Sequence, residues 1–163
     1  MKLIIGVDPG KSGAFAVLDE MGALLGVEDM PVVGPIISAV ILDQLVHDYV
    51  DPLGPVCPGH AVVEDVHSMP KQGVSSSFAF GRSLGVVEGV LAGQGWAITY
   101  VSPAKWKKAM GLSADKGVSR RRAIETWPDK AKHFARVKDD GRAEAALIAL
   151  WHLRQRQGQG RAA

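Results

Sequence analysis

One stretch constrains the fold of this chain more than any other: Leu3-Ile4-Ile5-Gly6-Val7-Asp8-Pro9-Gly10-Lys11-Ser12-Gly13. An apolar run rich in β-branched residues reads as a buried strand. It stops on a single carboxylate, Asp8, and turns through Pro9-Gly10, a pair that breaks regular structure. Ala14 to Leu18 is apolar again, so the two runs predict a hairpin with Asp8 at the end of its first strand. A carboxylate there is held by a rigid scaffold beside an open loop. It either caps the turn or belongs to a site, and the residues that can join it decide which.

Further along, Ala23 to Glu28 predicts a third strand after the turn at Asp19–Gly22, which makes an antiparallel meander. Met30–Gly34 is expected as a loop and Pro35 as the first residue of a helix carrying Ile37, Val40, Ile41, Gln44 and Leu45 at helical spacing. The stretch from Asp51 to Gly59 is rich in proline and reads as a connection. Ala61-Val62-Val63-Glu64 is a short strand that again ends in a carboxylate. Following a helix, it suits a parallel pairing with the first strand, which would put Asp8 and Glu64 at the same sheet end.

A loop from Asp65 to Ser77 leads to a helix expected over Phe78–Ala92, with Ser75 to Ser77 as N-cap candidates and Gly81, Gly85 and Gly89 as a small-residue stripe. Trp96–Val101 is the fifth strand, and Ser102-Pro103 opens a short helix to Met110. Val118–Trp127 is a basic helix stopped by Pro128. The last helix is expected from Asp140 to about Arg156, its buried side formed by Ala143, Ala146, Leu147, Leu150, Trp151 and Leu153. Residues 157–163 read as a frayed, disordered tail, and residues 1–156 as one domain.

Net charge is only +2, but it is unevenly placed. Between Lys105 and Lys138 basic residues crowd against only Asp115, Glu125 and Asp129. Such a segment suits a polyanion; a solvated helix face is the plainer alternative. The single cysteine, Cys57, excludes an intrachain disulfide framework and a thiolate zinc cluster. No apolar run is long enough to span a bilayer, and the chain begins directly in a strand pattern. The expectation is a cytoplasmic protein without a membrane role.

Asp140 and Glu144, four residues apart, share a face at the start of the last helix, on the border of its apolar stripe. Capping and the helix dipole account for Asp140 but poorly for Glu144. Asp139 competes with Asp140 for the place. If Asp8, Glu64, Asp140 and Glu144 converge, their mutual repulsion calls for cations, and hard oxygen donors without cysteine or histidine point to Mg²⁺, with Mn²⁺ able to substitute. Two such ions would suit phosphodiester hydrolysis, with Asp8 as the shared ligand.

These blocks, taken in order, resemble the RuvC-type Holliday junction resolvases over nearly the whole chain. The carriers are strand-Asp8-Pro9-Gly10, strand-Glu64-Asp65-Val66 followed by His67-Ser68-Met69, Pro103-Ala104-Lys105-Trp106-Lys107 through Gly111 to Ala114-Asp115-Lys116, and Asp140-Gly141-Arg142-Ala143-Glu144-Ala145. The last block, with its acids four apart and Glu last, looks closer to a phage-type branch than to the bacterial enzymes, whose two final Asp are three apart. The resemblance implies a ribonuclease H-like α/β fold: a five-stranded mixed sheet, an antiparallel three-strand meander plus two parallel strands, flanked by helices.

It further implies a homodimer that cuts four-way DNA junctions by paired nicks, using two metal ions per site and no small-molecule cofactor. The Gly-striped helix matches the region that the family uses for self-association. His67 falls where bacterial members carry an aromatic wedge. Lys71, Arg82, Lys105, Lys107, Lys108, Lys116, Arg120 and Arg121, with Arg122, become candidate phosphate contacts, of which Lys107 and Lys116 match the family's motif lysines.

Three other readings compete. An ATPase of the actin and sugar-kinase type shares the first Asp-x-Gly hairpin, but needs a second copy that the chain lacks. A non-catalytic nucleic-acid module would not need all four acids. A nuclease for flaps, forks or hybrids would keep the same residues.

Overall fold

A computed structural model describes residues 2–51, 59–65, 73–113 and 115–160. Its centre is a mixed sheet in the order β3-β2-β1-β6-β7, made of Leu24–Asp29, Ala14–Leu18, Ile4–Asp8, His60–Glu64 and Ala97–Val101. β1 and β2 pair antiparallel from Ile4↔Leu18 to Asp8↔Ala14, and β2 pairs antiparallel with β3. β6 runs parallel to β1, with Val7 opposite Val63, and β7 runs parallel to β6. The expected five-stranded sheet, meander and parallel pair alike, is the one observed.

Strand alternation assigns the two faces. Leu3, Ile5, Val7, Phe15, Val17, Ala61 and Val63 point to one face, where they pack with Leu42 and Val46 of α1 (Ala39–Val50) and Val87 and Leu91 of α2 (Val74–Gly93). Ile4, Ala14, Ala16, Leu18 and Val62 point to the other, against α5 (Asp140–Gly160). Over α5 lie Trp106 of α3 (Pro103–Ala109), Ala123 of α4 (Lys116–Thr126) and Phe134 of the 3₁₀ segment Pro128–Phe134.

α5 is therefore the middle layer, and it is buried on more than one side. Ala145, Ile148 and Ala149 are as fully buried as the expected Ala143, Ala146 and Leu147. The continuous apolar run from Ala145 to Trp151 is the pattern of a helix covered all round, whereas a one-sided stripe was expected. Gly6 allows α5 to lie directly on β1, because a Cβ there would run into the Ala145 carbonyl and the Ala149 amide. The helix also continues to Gly160, past the expected end near Arg156.

Two other expectations fail at element starts. Pro35 does not open a helix: Val32–Val33 and Ile36–Ile37 form a small hairpin, β4 and β5, around Gly34 at φ 59° and Pro35. The left-handed glycine suits such a two-residue turn. The helix starts after Ser38, whose side chain accepts from the Ile41 amide. Likewise α2 begins at Val74, so Ser75 to Ser77 lie inside its first turn, and its N-cap is Gly73.

Candidate active site

Asp8 and Glu64 end neighbouring parallel strands one residue beyond the Val7↔Val63 pair, and both fall on the α5 face by strand alternation. The β1–β2 turn holds Asp8 in place: the Gly10 amide donates to Asp8 Oδ1 at 3.2 Å, and the Gly13 amide closes the turn on the Gly10 carbonyl at 2.9 Å. Gly13 and Gly141 are both needed here. A Cβ on Gly13 would meet Asp8, and one on Gly141 would lie 2.8 Å from the Ser12 carbonyl, so the first turn of α5 rests on the turn that carries Asp8. Arg142 clamps the same end of α5 to β3 through a bidentate pair with Asp29 at 2.6 and 2.9 Å.

α5 then runs back along β1 and β6, from the acidic strand ends towards His60 at the start of β6, against which His152 stacks with ring centroids 5.2 Å apart. Glu144 thus faces Glu64 and is 5% exposed, as is Glu64 itself. Trp106, fully buried on α3, donates from Nε1 to Glu64 Oε1 at 2.7 Å. Burial pushes the Glu64 carboxyl up to about 7; the Trp106 hydrogen bond and Lys107 work against this, and the charges of Asp8 and Glu144 add to it. The charges of Asp8 and Glu144 are therefore both felt at Glu64.

Lys107 Nζ reaches Glu144 Oε1 at 2.6 Å. Arg120 Nε faces Asp140 Oδ1 at 2.9 Å as an ion pair without hydrogen-bond alignment. Asp139 is committed elsewhere. It is 1% exposed and closes a capping box with Arg136, accepting from its amide at 2.8 Å and from its guanidinium at 2.8 to 3.2 Å. Although burial opposes ionisation, those bonds hold its carboxyl below the ordinary aspartate value. Of the two neighbouring aspartates, Asp140 is the one turned to the basic segment over the acids.

Among the described residues the donor set suits a hard divalent cation: carboxylate oxygens, with no thiolate and no imidazole. Burial, with the charges of Asp8 and Glu144 adding to it, disfavours the ionised Glu64 carboxyl, a penalty that such a cation would relieve. Among the described residues no three potential ligands stand in one ready-made cluster. Lys107 and Arg120 pair with two of these acids, Glu144 and Asp140.

The other expected residues distribute unevenly. Lys107 and Arg120 reach the acids; Lys105, Lys108 and Arg121 are exposed on α3 and α4, with Lys105 Nζ 5.8 Å over the Trp151 ring. Arg122 braces α4 to α3, donating to the Met110 carbonyl at 3.3 Å. Arg82 lies on α2, on the opposite sheet face, beside Pro35 and Phe78. The structure does not bring it to the acids. His67, Lys71 and the Lys116 side chain lie outside the described residues. Trp106 was not foreseen. Its one sequence signal is an aromatic enclosed by Lys105, Lys107 and Lys108, an apolar anchor in a basic helix.

No protein-family profile matches the chain, and no curated protein sequence does. Solved structures do match. Thermus thermophilus RuvC in complex with Holliday junction substrate superposes with a TM-score of 0.66 at 22% identity, covering 97% of each chain. The chain has the RuvC fold. A second Thermus thermophilus RuvC structure gives a TM-score of 0.63 at 20% identity over 96% of each chain. The RuvC fold thus spans both the sheet that ends in Asp8 and Glu64 and the helix that brings Glu144. None of the helices among the described residues is long and apolar enough to cross a membrane.

Proposed function

We propose that this protein is a metal-dependent, structure-specific DNA endonuclease that resolves four-way junctions by paired nicks. What supports the reading is that buried Glu64 feels the charges of Asp8 and of buried Glu144 beneath a basic helix, on the RuvC fold. One of the matched Thermus thermophilus structures holds a Holliday junction, and the basic α3–α4 face over the acids suits a phosphate backbone.

Asp8, Glu64, Asp140 and Glu144 would hold Mg²⁺ ions, two per site, which when bound supply an activated water and a charge partner for the leaving oxygen. Trp106 fixes which way Glu64 points and keeps water from that carboxylate. Lys107 balances Glu144 and lies within reach of an incoming phosphate. Pro9-Gly10 keeps side-chain bulk away from the approach to Asp8. Two nicks in opposite strands call for two sites, hence a homodimer. α2 supports this: a Cβ on Gly81, Gly85 or Gly89 would have no neighbour within 4 Å among the described residues, so the stripe packs against none of them, and Phe78 beside it is 74% exposed.

The test is nicking of a synthetic four-way junction and of matched duplex with Mg²⁺. Wild type should give symmetric nicks in the junction and few in duplex; Asp8→Asn should give none. Cleavage that survives in Asp8→Asn would remove the metal assignment, and equal cutting of flaps and forks would favour a broader branched-DNA nuclease.

A further inference from the structure

The two acids of α5 are each matched by a cation from the basic segment, and the two matches differ. Lys107 makes a 2.6 Å hydrogen bond to Glu144. Arg120 Nε and Asp140 Oδ1, by contrast, are shut off from water and 2.9 Å apart, yet neither has an aligned hydrogen-bond partner. A guanidinium binds best through two parallel N–H donors on carboxylate or phosphate. Here it rests on a carboxylate in a geometry that uses little of that capacity. It also comes from α4, whose next residue, Arg121, is exposed on the outer surface.

We propose that Arg120 is an internal counter-ion for Asp140 that exchanges onto a DNA backbone phosphate, so that DNA binding and cation binding at the acids reinforce each other. The inference rests on reading Asp140 as a metal ligand. A cation about 3 Å from a ligand carboxylate opposes a divalent ion there by direct repulsion. A phosphate that takes the guanidinium bidentately removes that opposition and frees the carboxylate. Because coupling is reciprocal, the bound metal strengthens DNA binding by the same factor. Duplex or solvent that cannot place a phosphate at Arg120 leaves the acids poorly loaded, which adds a selectivity step before any chemistry.

The sign of one measurement separates this from a plain orienting role. If Arg120 merely held Asp140 in position for the metal, removing it would weaken metal binding. As a counter-ion, its removal strengthens it. Mn²⁺ binding to the full chain without DNA, followed by electron paramagnetic resonance of the free ion, should be tighter in Arg120→Gln than in wild type by about tenfold, within the usual range of such couplings. Arg120→Lys should stay near wild type. In EDTA, Arg120→Gln should bind a four-way junction more weakly, with a salt slope reduced by about one.

Unchanged or weaker Mn²⁺ binding in a folded Arg120→Gln overturns the proposal, and so does unchanged junction binding. Arg120→Met, which keeps the aliphatic stem, serves for the same comparison if the glutamine variant does not fold. Asp8→Asn and Asp140→Asn separate the two levels. If both bind Mn²⁺ as wild type does, the metal reading has failed and this proposal with it; if both lose binding while Arg120→Gln gains nothing, only the role of Arg120 has failed.

Discussion

The indole N–H of Trp106 donates to Oε1 of Glu64 at 2.7 Å inside the protein, across a sequence separation of 42 residues. This bond ties the basic helix α3 to a strand end in the sheet, so the helix that would meet DNA also orients an acid that would meet metal. The carboxyl it holds is pushed up to about 7, first by burial and then by Asp8 and Glu144, with the indole bond working the other way.

Metal binding should therefore be proton-linked near neutrality. A cation needs the carboxylate, so affinity rises with pH through about 7 and levels off above it, and below it falls by up to tenfold per unit for one proton released. Trp106→Phe removes the bond that favours the ionised form, so the midpoint should move to higher pH. Mn²⁺ titrations from about pH 6 to pH 8 on both proteins check this; an identical profile would show that Trp106 acts only in packing.

The neighbouring aspartates of the α5 start should part company. Asp139→Asn breaks a buried capping box with Arg136 and should cost about 1–3 kcal/mol of stability while leaving nicking measurable. Asp140→Asn should melt near wild type and lose cleavage. Thermal melts with junction nicking read both, and cleavage lost only in Asp139→Asn would move the ligand by one residue.

Much of this is legible in the sequence. Asp8 and Glu64 could be placed at one sheet end because each closes an apolar run short enough to be a strand, and Glu144 because it lies on the border of a helix's apolar side. The partners of those acids were not legible. Lys107 meets Glu144 across 37 residues and Trp106 meets Glu64 across 42, and no local pattern encodes such pairs. Pro35 misled for a local reason: proline fits a first helical turn and a tight hairpin equally, and the pairing of Val33 with Ile36 decided for the hairpin. The serines before Phe78 misled because N-cap residues mark a helix start only if the chain is not helical already.

The glycines of β1 and α2 make opposite predictions. Gly6→Ala should cost about 3 kcal/mol or more, since its Cβ meets α5 backbone that has the sheet on one side and α3–α4 on the other. Gly85→Ala meets nothing within 4 Å and should stabilise the isolated chain by about 0.5–1 kcal/mol. Gly85→Leu should leave the fold intact and shift a dimer towards monomer if α2 is the self-association face. Denaturant melts and sedimentation together test all three, and a Gly85→Leu dimer of wild-type strength would assign another face.

Acid should loosen the end of α5 remote from the acids. His152 packs against His60 and is held down to about 4, chiefly by burial, with the charges of His60 and Arg156 adding to it. His60 Nδ1 and His152 Nε2 are both buried without a hydrogen-bond partner among the described residues, so protonating either places a poorly compensated charge inside. A folded pKa below the unfolded value of 6.5 means that the unfolded chain binds the proton first. The stability that neutral His152 allows is complete above about 6.5 and is lost as pH falls towards 4. Discounted for partial solvent access, the loss should be about 2 kcal/mol. His152→Gln should flatten the slope of stability between those pH values, measured by urea unfolding. A slope unchanged by that substitution would place the acid sensitivity in another group.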